Sequence, residues 1–202
     1  MRFSFHDNRL AELERELRPD DSPCPLVVLE PSAAAIRLTH FSAGRDATYV
    51  VIDDARYSSA NITTASVTIG YAPFIEGTTL IYDLTDETLQ GKARPFTCEL
   101  GRSGRRVYAV LPVQIETIRI RLHRQQIEVE FHDALDERIE AALPFQLTAN
   151  GGNTKRFGTY VCTAARDGRF TQAVPAAFGD APWEIAVRSL LTGREERIKL
   201  RP

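Results

Sequence analysis

The stretch Ile118-Arg119-Ile120-Arg121-Leu122-His123-Arg124-Gln125-Gln126-Ile127-Glu128-Val129-Glu130-Phe131-His132 decides the fold class of this chain. On both sides of Arg124-Gln125, apolar and polar residues alternate with a period of two, which is typical of half-buried β-strands. An antiparallel hairpin sets three pairs opposite one another: Arg121 and Glu128, Arg119 and Glu130, and Ile120 and Val129. We predict this pairing because a slip of one residue would destroy the match on both faces.

The period of two extends over most of the chain after residue 25. Residues 48–53 are rich in β-formers and apolar on both faces, as expected of a central strand. Turn residues separate about six predicted strands in residues 26–111 and about seven between Val113 and the C-terminus, a spacing typical of sandwiches. We therefore predict an all-β fold of two consecutive immunoglobulin-like β-sandwich domains, residues 26–112 and 113–202, divided near Pro112.

Residues 1–25 are predicted to form a helical arm and a linker. Asp7 or Asn8 can cap a short helix over residues 9–18, and leucines at i, i+3 and i+7 line one of its faces. Pro19 ends that helix. Residues 133–142 also have helical composition, which leaves open a short helix or a loop there. No export signal can be read at the N-terminus, so we expect a cytoplasmic protein unless the chain is a fragment of an exported one.

The composition excludes several functional classes. The chain has 202 residues, 25 of them basic and 27 acidic, and its formal net charge of −2 gives no argument for nucleic acid or an anionic membrane surface. No apolar run approaches the ~20 residues that span a bilayer. We therefore expect neither a nucleic-acid partner nor membrane insertion, and the composition leaves the oligomeric state open.

Catalytic and metal-binding patterns are scarce in this sequence. There is no nucleophile elbow, phosphate loop, dinucleotide fingerprint or His-Glu-x-x-His motif. His132-Asp133 beside Glu130 comes nearest to a titratable cluster, but no nucleophile accompanies it and both Glu130 and His132 fall on the polar face of their strand. A solvated surface is the favoured interpretation. We assign no catalytic residue, no metal and no cofactor, and a non-enzymatic role is favoured while an enzymatic one stays open.

The three cysteines are too few and too scattered for a disulfide framework. Cys98 and Cys162 lie on apolar faces of predicted strands and are expected to be buried, where cysteine behaves as a small hydrophobe. Cys24 lies between two prolines and is expected to be more exposed.

Aromatic residues are the best candidates for ligand binding. Tyr57, Tyr71 and Phe74 lie in or near predicted loops of the first domain, where an exposed ring can stack on a sugar or a partner domain. Burial in the core is the alternative for each of them. Trp183 opens a strand whose phase places its ring in the core of the second domain. Two carboxylates of the first domain could flank a glycosidic bond, although aspartates at strand ends commonly form turns. The candidates are Asp53, Asp54, Glu76, Asp83, Asp86 and Glu87.

Three stretches of the first domain resemble the β-sandwich that follows the catalytic barrel in some bacterial glycoside-hydrolase-like proteins. They are Thr48-Tyr49-Val50-Val51-Ile52-Asp53-Asp54, Leu80-Ile81-Tyr82-Asp83-Leu84 and Arg106-Val107-Tyr108-Ala109-Val110-Leu111-Pro112, with Asp53 where that pattern commonly has Asn. Trp183-Glu184-Ile185-Ala186-Val187-Arg188-Ser189-Leu190-Leu191-Thr192-Gly193 is similar to the last hairpin of bacterial immunoglobulin-like modules. The resemblance implies a non-catalytic accessory pair of domains from the C-terminal region of a multidomain protein related to carbohydrates.

Three functional hypotheses follow from these patterns. The leading one is an accessory β-sandwich module that supports, docks or orients a carbohydrate-active protein, or binds glycan weakly, with a carbohydrate or a catalytic partner domain as its partner. The alternative is a protein–protein interaction or cell-surface module with no sugar role, since exposed strand edges can add a strand from a partner. A small hydrolase built from loop carboxylates ranks below both.

Overall fold

The computed structural model describes residues 18–19, 21–30, 36–54, 66–73, 78–92, 94–100, 104–123, 126–151, 155–174 and 183–200. Two compact units divide these residues. Unit 1 contains Ala43–Asp46 and Gln114–Pro202, and unit 2 contains Arg18–Ser42 and Ala47–Val113.

Unit 2 is built from antiparallel strands in two sheets. Its strands are β1 (Arg18–Pro19), β2 (Leu26–Glu30), β3 (Ile36–Ser42), β4 (Thr48–Asp54), β5 (Ser66–Tyr71), β6 (Leu80–Asp83), β7 (Thr88–Lys92), β8 (Phe96–Glu99) and β9 (Arg105–Leu111). One sheet has the order β1-β3-β4-β9-β6-β7 and the other has the order β2-β5-β8. The prediction of a central strand at residues 48–53 is confirmed, because β4 lies between β3 and β9.

The two sheets of unit 2 share one hydrophobic core. Val50 and Ile52 of β4 and Val110 of β9 come from the larger sheet, and Val67 and Ile69 of β5 come from the smaller one; all five belong to a single buried cluster. Apolar side chains from two sheets that pack against one another define a β-sandwich. Unit 2 is therefore a sandwich.

The described residues of unit 1 form seven antiparallel strands in two sheets. They are β10 (Thr117–His123), β11 (Gln126–His132), β12 (Pro144–Gly151), β13 (Lys155–Cys162), β14 (Arg169–Ala173), β15 (Trp183–Ser189) and β16 (Glu195–Leu200). The sheet orders are β10-β11-β14 and β13-β12-β15-β16. This is an immunoglobulin-like arrangement. The fourth strand of the unit, β13, pairs with the third strand, β12, and does not lie at the edge of the β10-β11-β14 sheet.

Aromatic rings join the two sheets of unit 1. Phe145 of β12 packs against Phe131 of β11 with ring centroids 5.7 Å apart, and edge-on against Phe170 of β14 at 5.3 Å. Trp183 is buried, and a Cβ atom placed on Gly151 would lie 2.6 Å from its indole ring. The prediction that Trp183 packs in the core is confirmed.

The register predicted for the 118–132 hairpin is confirmed. Strands β10 and β11 pair Arg119 with Glu130, Ile120 with Val129 and Arg121 with Glu128. The charge pairs follow the register only in part. Arg121 reaches Glu128 at 3.7 Å, whereas the Arg119 guanidinium pairs with Asp136 instead of Glu130.

The prediction of a short N-terminal helix is wrong, and no helix occurs in the part of the chain that the structure describes. Arg18, the last residue of that predicted helix, lies with Pro19 in β1, which pairs with Ser42 and Phe41 of β3. The rest of the predicted helix lies outside the described residues. Residues 133–142 form turns and isolated bridges, so their helical composition does not decide their conformation. None of the described residues belongs to a helix able to cross a membrane.

Candidate functional site

Glu130 is the most deeply buried carboxylate among the described residues of unit 1, with 3% of its surface exposed. It lies on β11, the middle strand of its sheet, opposite Arg119 of β10 and Arg169 of β14. Its neighbours Val129 and Phe131 point into the core, so the carboxylate lies on the other face of the sheet. Side chains from flanking segments close over that face and bury it.

Arginines surround the Glu130 carboxylate. Arg138 donates to Oε1 at 2.9 Å and Arg169 donates to the same oxygen from Nη2 at 3.0 Å and from Nε at 3.2 Å. Arg121 lies 3.5 Å from Oε2. Burial by itself raises the pKa of the Glu130 carboxyl, but the hydrogen bonds from Arg138 and Arg169 outweigh it and lower the pKa to about 2.

His132 extends this cluster and is also buried, with 5% of its surface exposed. Its Nδ1 donates to the carbonyl oxygen of Asp136 at 2.9 Å, because a carbonyl can only accept. Its Nε2 lies 3.5 Å from Oε2 of Glu130. The interpretation of Glu130 and His132 as a solvated surface is therefore wrong. We call Arg121, Glu130, His132, Arg138 and Arg169 the Glu130 cluster.

The turn after β11 holds one side of the Glu130 cluster in place. Oδ1 of Asp133 accepts hydrogen bonds from the backbone amides of Leu135 and Glu137, both at 2.9 Å. Asp136 has a positive φ of 66° and its carboxylate pairs with Arg119. The Asp133 side chain thus supplies the hydrogen-bond acceptors that the backbone of a tight turn cannot provide.

Replacing Asp133 with Ala is expected to lower the free energy of unfolding by about 1–2 kcal/mol, because two backbone amides lose their acceptor. Urea denaturation followed by circular dichroism measures the change. Asp133→Asn is the matched control, since an amide oxygen can still accept both bonds. Equal losses in the two variants would contradict the proposed role of the acceptor.

The chemistry of the Glu130 cluster is that of a closed ion-pair network. A carboxylate with a pKa of about 2 is ionised at neutral pH and is saturated by arginine, so it does not exchange protons there. Among the residues that the structure describes, no serine or threonine hydroxyl and no cysteine thiol is hydrogen-bonded to it. Within the described ranges, no group of three or more metal-ligating side chains is positioned to hold a metal ion. The cluster links β11 to β14 and to the turn that carries Arg138.

A second buried carboxylate belongs to unit 2. It is Asp83, at the end of β6, with 1% of its surface exposed. Arg106 donates to its Oδ2 at 2.6 Å, and the backbone amides of Thr85 and Asp86 donate to its Oδ1 at 2.7 and 3.3 Å. Arg106 also donates to the carbonyl oxygen of Glu99 at 2.6 Å. Asp83 therefore shapes the turn after β6, which agrees with the turn-forming interpretation.

The register of unit 2 separates Asp53 from Asp83. Asp53 lies opposite Arg105 of β9 and binds it at 2.5 Å, whereas Asp83 lies opposite Tyr108 of the same strand. Positions 105 and 108 differ by an odd number, so the two side chains point to opposite faces of the sheet. The two carboxylates cannot flank one glycosidic bond, and the hydrolase hypothesis loses this pair.

Only one of the three predicted ligand-binding aromatics can be located. Tyr71 ends β5 and is partly buried against the hydrophobic core, and burial raises the pKa of its hydroxyl. Tyr57 and Phe74 lie outside the described residues. Whether the three rings share a ligand thus stays a prediction.

The cysteines differ from expectation at two positions. Cys98 is buried as predicted, but Cys162 is only half-buried. Cys24 is also half-buried and packs against the core of unit 2, and burial raises the pKa of its thiol. A thiol with a raised pKa is a weaker nucleophile at neutral pH.

Sequence reasoning missed Arg138 and Arg169, the two residues that bind Glu130 most closely. Arg169 lies beside Glu130 because β14 pairs with β11 across 39 residues of sequence. The hairpin sequence contained one signal of this site, because Glu130 alternates with core residues. Its strand borders two others, and a carboxylate in such a position needs cationic neighbours.

Comparisons with known proteins add little to this picture. No family model matches the chain, and no curated protein matches it. Among solved structures, the crystal structure of the chicken CNTN1 FN1-FN3 domains is similar over 77% of this chain and 76% of that chain, at 10% identity and a TM-score of 0.29. At that TM-score the likeness carries no inference, and the β-sandwich assignment stands on the strand order and cores described above.

Proposed function

We propose that this chain is a non-catalytic β-sandwich module that works by binding another macromolecule. The observation that supports the proposal is the ion pairing of the Glu130 cluster. Its buried carboxylate is neutralised by arginine and is not placed beside a nucleophile. Active sites depend on titratable groups with pKa values poised for proton transfer. A pKa of about 2 at Glu130 is typical of a structural ion pair.

The more specific proposal is that the module accompanies a carbohydrate-active protein, as a support, a docking element or a weak glycan binder. Its support is the resemblance of residues 47–202 to accessory sandwiches of glycoside-hydrolase-like proteins. Tyr71, with Tyr57 and Phe74, would supply rings that stack on sugar.

Affinity electrophoresis in gels containing plant, fungal and bacterial polysaccharides tests direct glycan binding. We expect retardation of the wild-type chain on at least one polysaccharide and loss of that retardation in a Tyr57→Ala, Phe74→Ala double variant. Tyr160→Ala, a change of the same type in unit 1, is the control and should leave mobility unchanged. No retardation on any polysaccharide would remove the glycan-binding version of the proposal.

A second candidate is a protein-interaction module, which the exposed edge of unit 1 favours. Strand β13 is eight residues long, lies at the edge of its sheet, and carries Phe157 with 39% of its surface exposed. No charged residue occurs between Phe157 and Cys162. The opposite edge, β16, carries four charged residues in six, which is the usual protection against strand addition. Of the β13 strand, only Lys155 and Arg156 at its start are charged, and the uncharged remainder suits an added partner strand.

Affinity capture from the source organism, followed by binding measurements with the purified partner, separates the two candidates. A protein partner without a carbohydrate-related domain, bound about tenfold more weakly by Phe157→Lys, would support strand addition at β13. Leu135→Lys is the matched control because Leu135 is also an exposed apolar residue, with 80% of its surface exposed, but lies in a turn. Equal binding by both variants contradicts a role for the β13 edge.

A further inference from the structure

We propose that Ala43–Asp46, which we call the clamp, is a required part of unit 1, so that residues 114–202 do not form a stable domain without it. The clamp belongs to unit 1 although about 70 residues separate it in the sequence from Gln114, where the main part of that unit begins. Backbone hydrogen bonds and a close fit hold the clamp against the rest of unit 1.

The clamp bonds to residues 140–142 as a strand bonds to its neighbour. The Ala142 amide donates to the carbonyl oxygen of Ala43 at 2.7 Å, and the amides of Arg45 and Asp46 donate to the carbonyl oxygen of Glu140 at 2.8 and 3.2 Å. Gly44 forms an antiparallel bridge with Ala141. The Glu140 carbonyl and the Ala142 amide therefore take backbone partners from the clamp.

A side chain of the clamp adds one further bond. Oδ2 of Asp46 accepts a hydrogen bond from the backbone amide of Glu140 at 2.8 Å. Both polar groups of the Glu140 peptide unit, its amide and its carbonyl, are thus bound by the clamp. Without the clamp these groups lose partners that backbone polar groups in a folded interior require.

Gly44 shows how closely the clamp fits. Its φ is +105°, and a Cβ atom at this position would lie 2.3 Å from the carbonyl oxygen of Ala165 and 2.5 Å from that of Glu140. Backbone atoms cannot move aside as a flexible side chain can, so only glycine fits here. The clamp thus contacts two separate segments of unit 1.

Residues 139–142 connect the clamp to the core of unit 1. The Ile139 amide donates to the carbonyl oxygen of Phe131, whose ring packs on Phe145. The buried Thr163 hydroxyl donates to the carbonyl oxygen of Ala141 at 2.5 Å and accepts from the Leu143 amide at 2.8 Å. Loss of the clamp is therefore expected to loosen β11, β12 and the segment around Thr163.

Hydrogen exchange on the full-length chain tests the proposal. In Gly44→Ala we expect the amides of Ile139, Ala142 and Thr163 to exchange at least about tenfold faster than in the wild type. Gly91→Ala is the matched control, because Gly91 has a similar φ of +118° and no atom within 4 Å of a Cβ placed there. Unchanged protection of these three amides in Gly44→Ala would overturn the proposal.

A second pair of variants keeps the test decisive if Gly44→Ala does not fold. Asp46→Ala removes the acceptor of the Glu140 amide, whereas Asp46→Asn keeps an oxygen that can accept. We expect faster exchange of the Glu140 and Ala142 amides in Asp46→Ala and near wild-type exchange in Asp46→Asn. Wild-type protection of both amides in Asp46→Ala would overturn the role of the clamp.

Discussion

Replacing Glu130 with Gln is expected to lower the free energy of unfolding by about 3–5 kcal/mol, the range found when one partner of a buried ion pair is removed. Arg138 and Arg169 bind the Glu130 carboxylate at 2.9 and 3.0 Å. A neutral amide leaves these guanidinium groups without a counter-charge in a partly buried position. Urea denaturation of both proteins, with equal m-values, measures the loss.

Glu128→Gln is the matched control for this substitution. Glu128 lies two residues away on the same strand and the same face, and it contacts Arg121 and Arg169 only at 3.7 Å. Its side chain is 21% exposed against 4% for Glu130, so solvent screens its ion pairs. We expect a loss of about 1 kcal/mol or less. Similar losses in the two variants would show that burial of Glu130 does not determine its contribution to the free energy of unfolding.

The pH dependence of stability provides an independent check on Glu130. Its pKa is about 2 in the folded chain against 4.5 as the ordinary value, so the unfolded chain binds the proton more tightly. The stabilisation, about 3 kcal/mol from this pKa difference, is complete above pH 4.5 and is lost as the pH falls towards 2. The stability difference between wild type and Glu130→Gln should therefore shrink over that interval. A constant difference between pH 6 and pH 2.5 would contradict the lowered pKa.

The register of the 118–132 hairpin can be predicted from the sequence because the residues on both of its faces match in only one alignment. Matched charges on one face and matched apolar residues on the other leave a single alignment, and the strands pair in that alignment. The burial of Glu130 could not be predicted in the same way. It depends on Arg169, brought alongside by a strand 39 residues away, and on Arg138 from a turn.

The wrong N-terminal helix has a related cause. Leucines at i, i+3 and i+7 before Pro19 follow a helical period, which is a local signal. Arg18 and Pro19 instead pair with Ser42 and Phe41 of β3, a contact that no local pattern reports. Tertiary pairing overrides local propensity at such positions. Residues 133–142 depart from a helix for a different, local reason, because the Asp133 carboxylate accepts hydrogen bonds from the amides of Leu135 and Glu137.

Replacing Gly168 with Ala is expected to lower the free energy of unfolding by about 4 kcal/mol or more, which places it among the largest effects of single substitutions. A Cβ atom at Gly168 would lie 1.9 Å from the carbonyl oxygen of Ile139 and 2.9 Å from its carbonyl carbon. The Gly168 amide also donates to the carbonyl oxygen of Ala164 at 2.8 Å, which fixes the turn before β14. Because the obstacle is backbone, either this turn or the segment at Ile139 has to move.

Gly193→Ala separates this crowding from the cost of the backbone conformation. Gly193 has a φ of +67° against +63° for Gly168, and its amide donates to the carbonyl oxygen of Ser189, four residues earlier, as the Gly168 amide does to Ala164. A Cβ atom at Gly193 meets only the end of the Arg188 side chain, at 3.9 Å. We expect a loss of about 1–2 kcal/mol from the left-handed conformation alone. Thermal and urea denaturation of both variants measure the difference, and equal losses would mean that the close approach of Ile139 to Gly168 imposes no constraint.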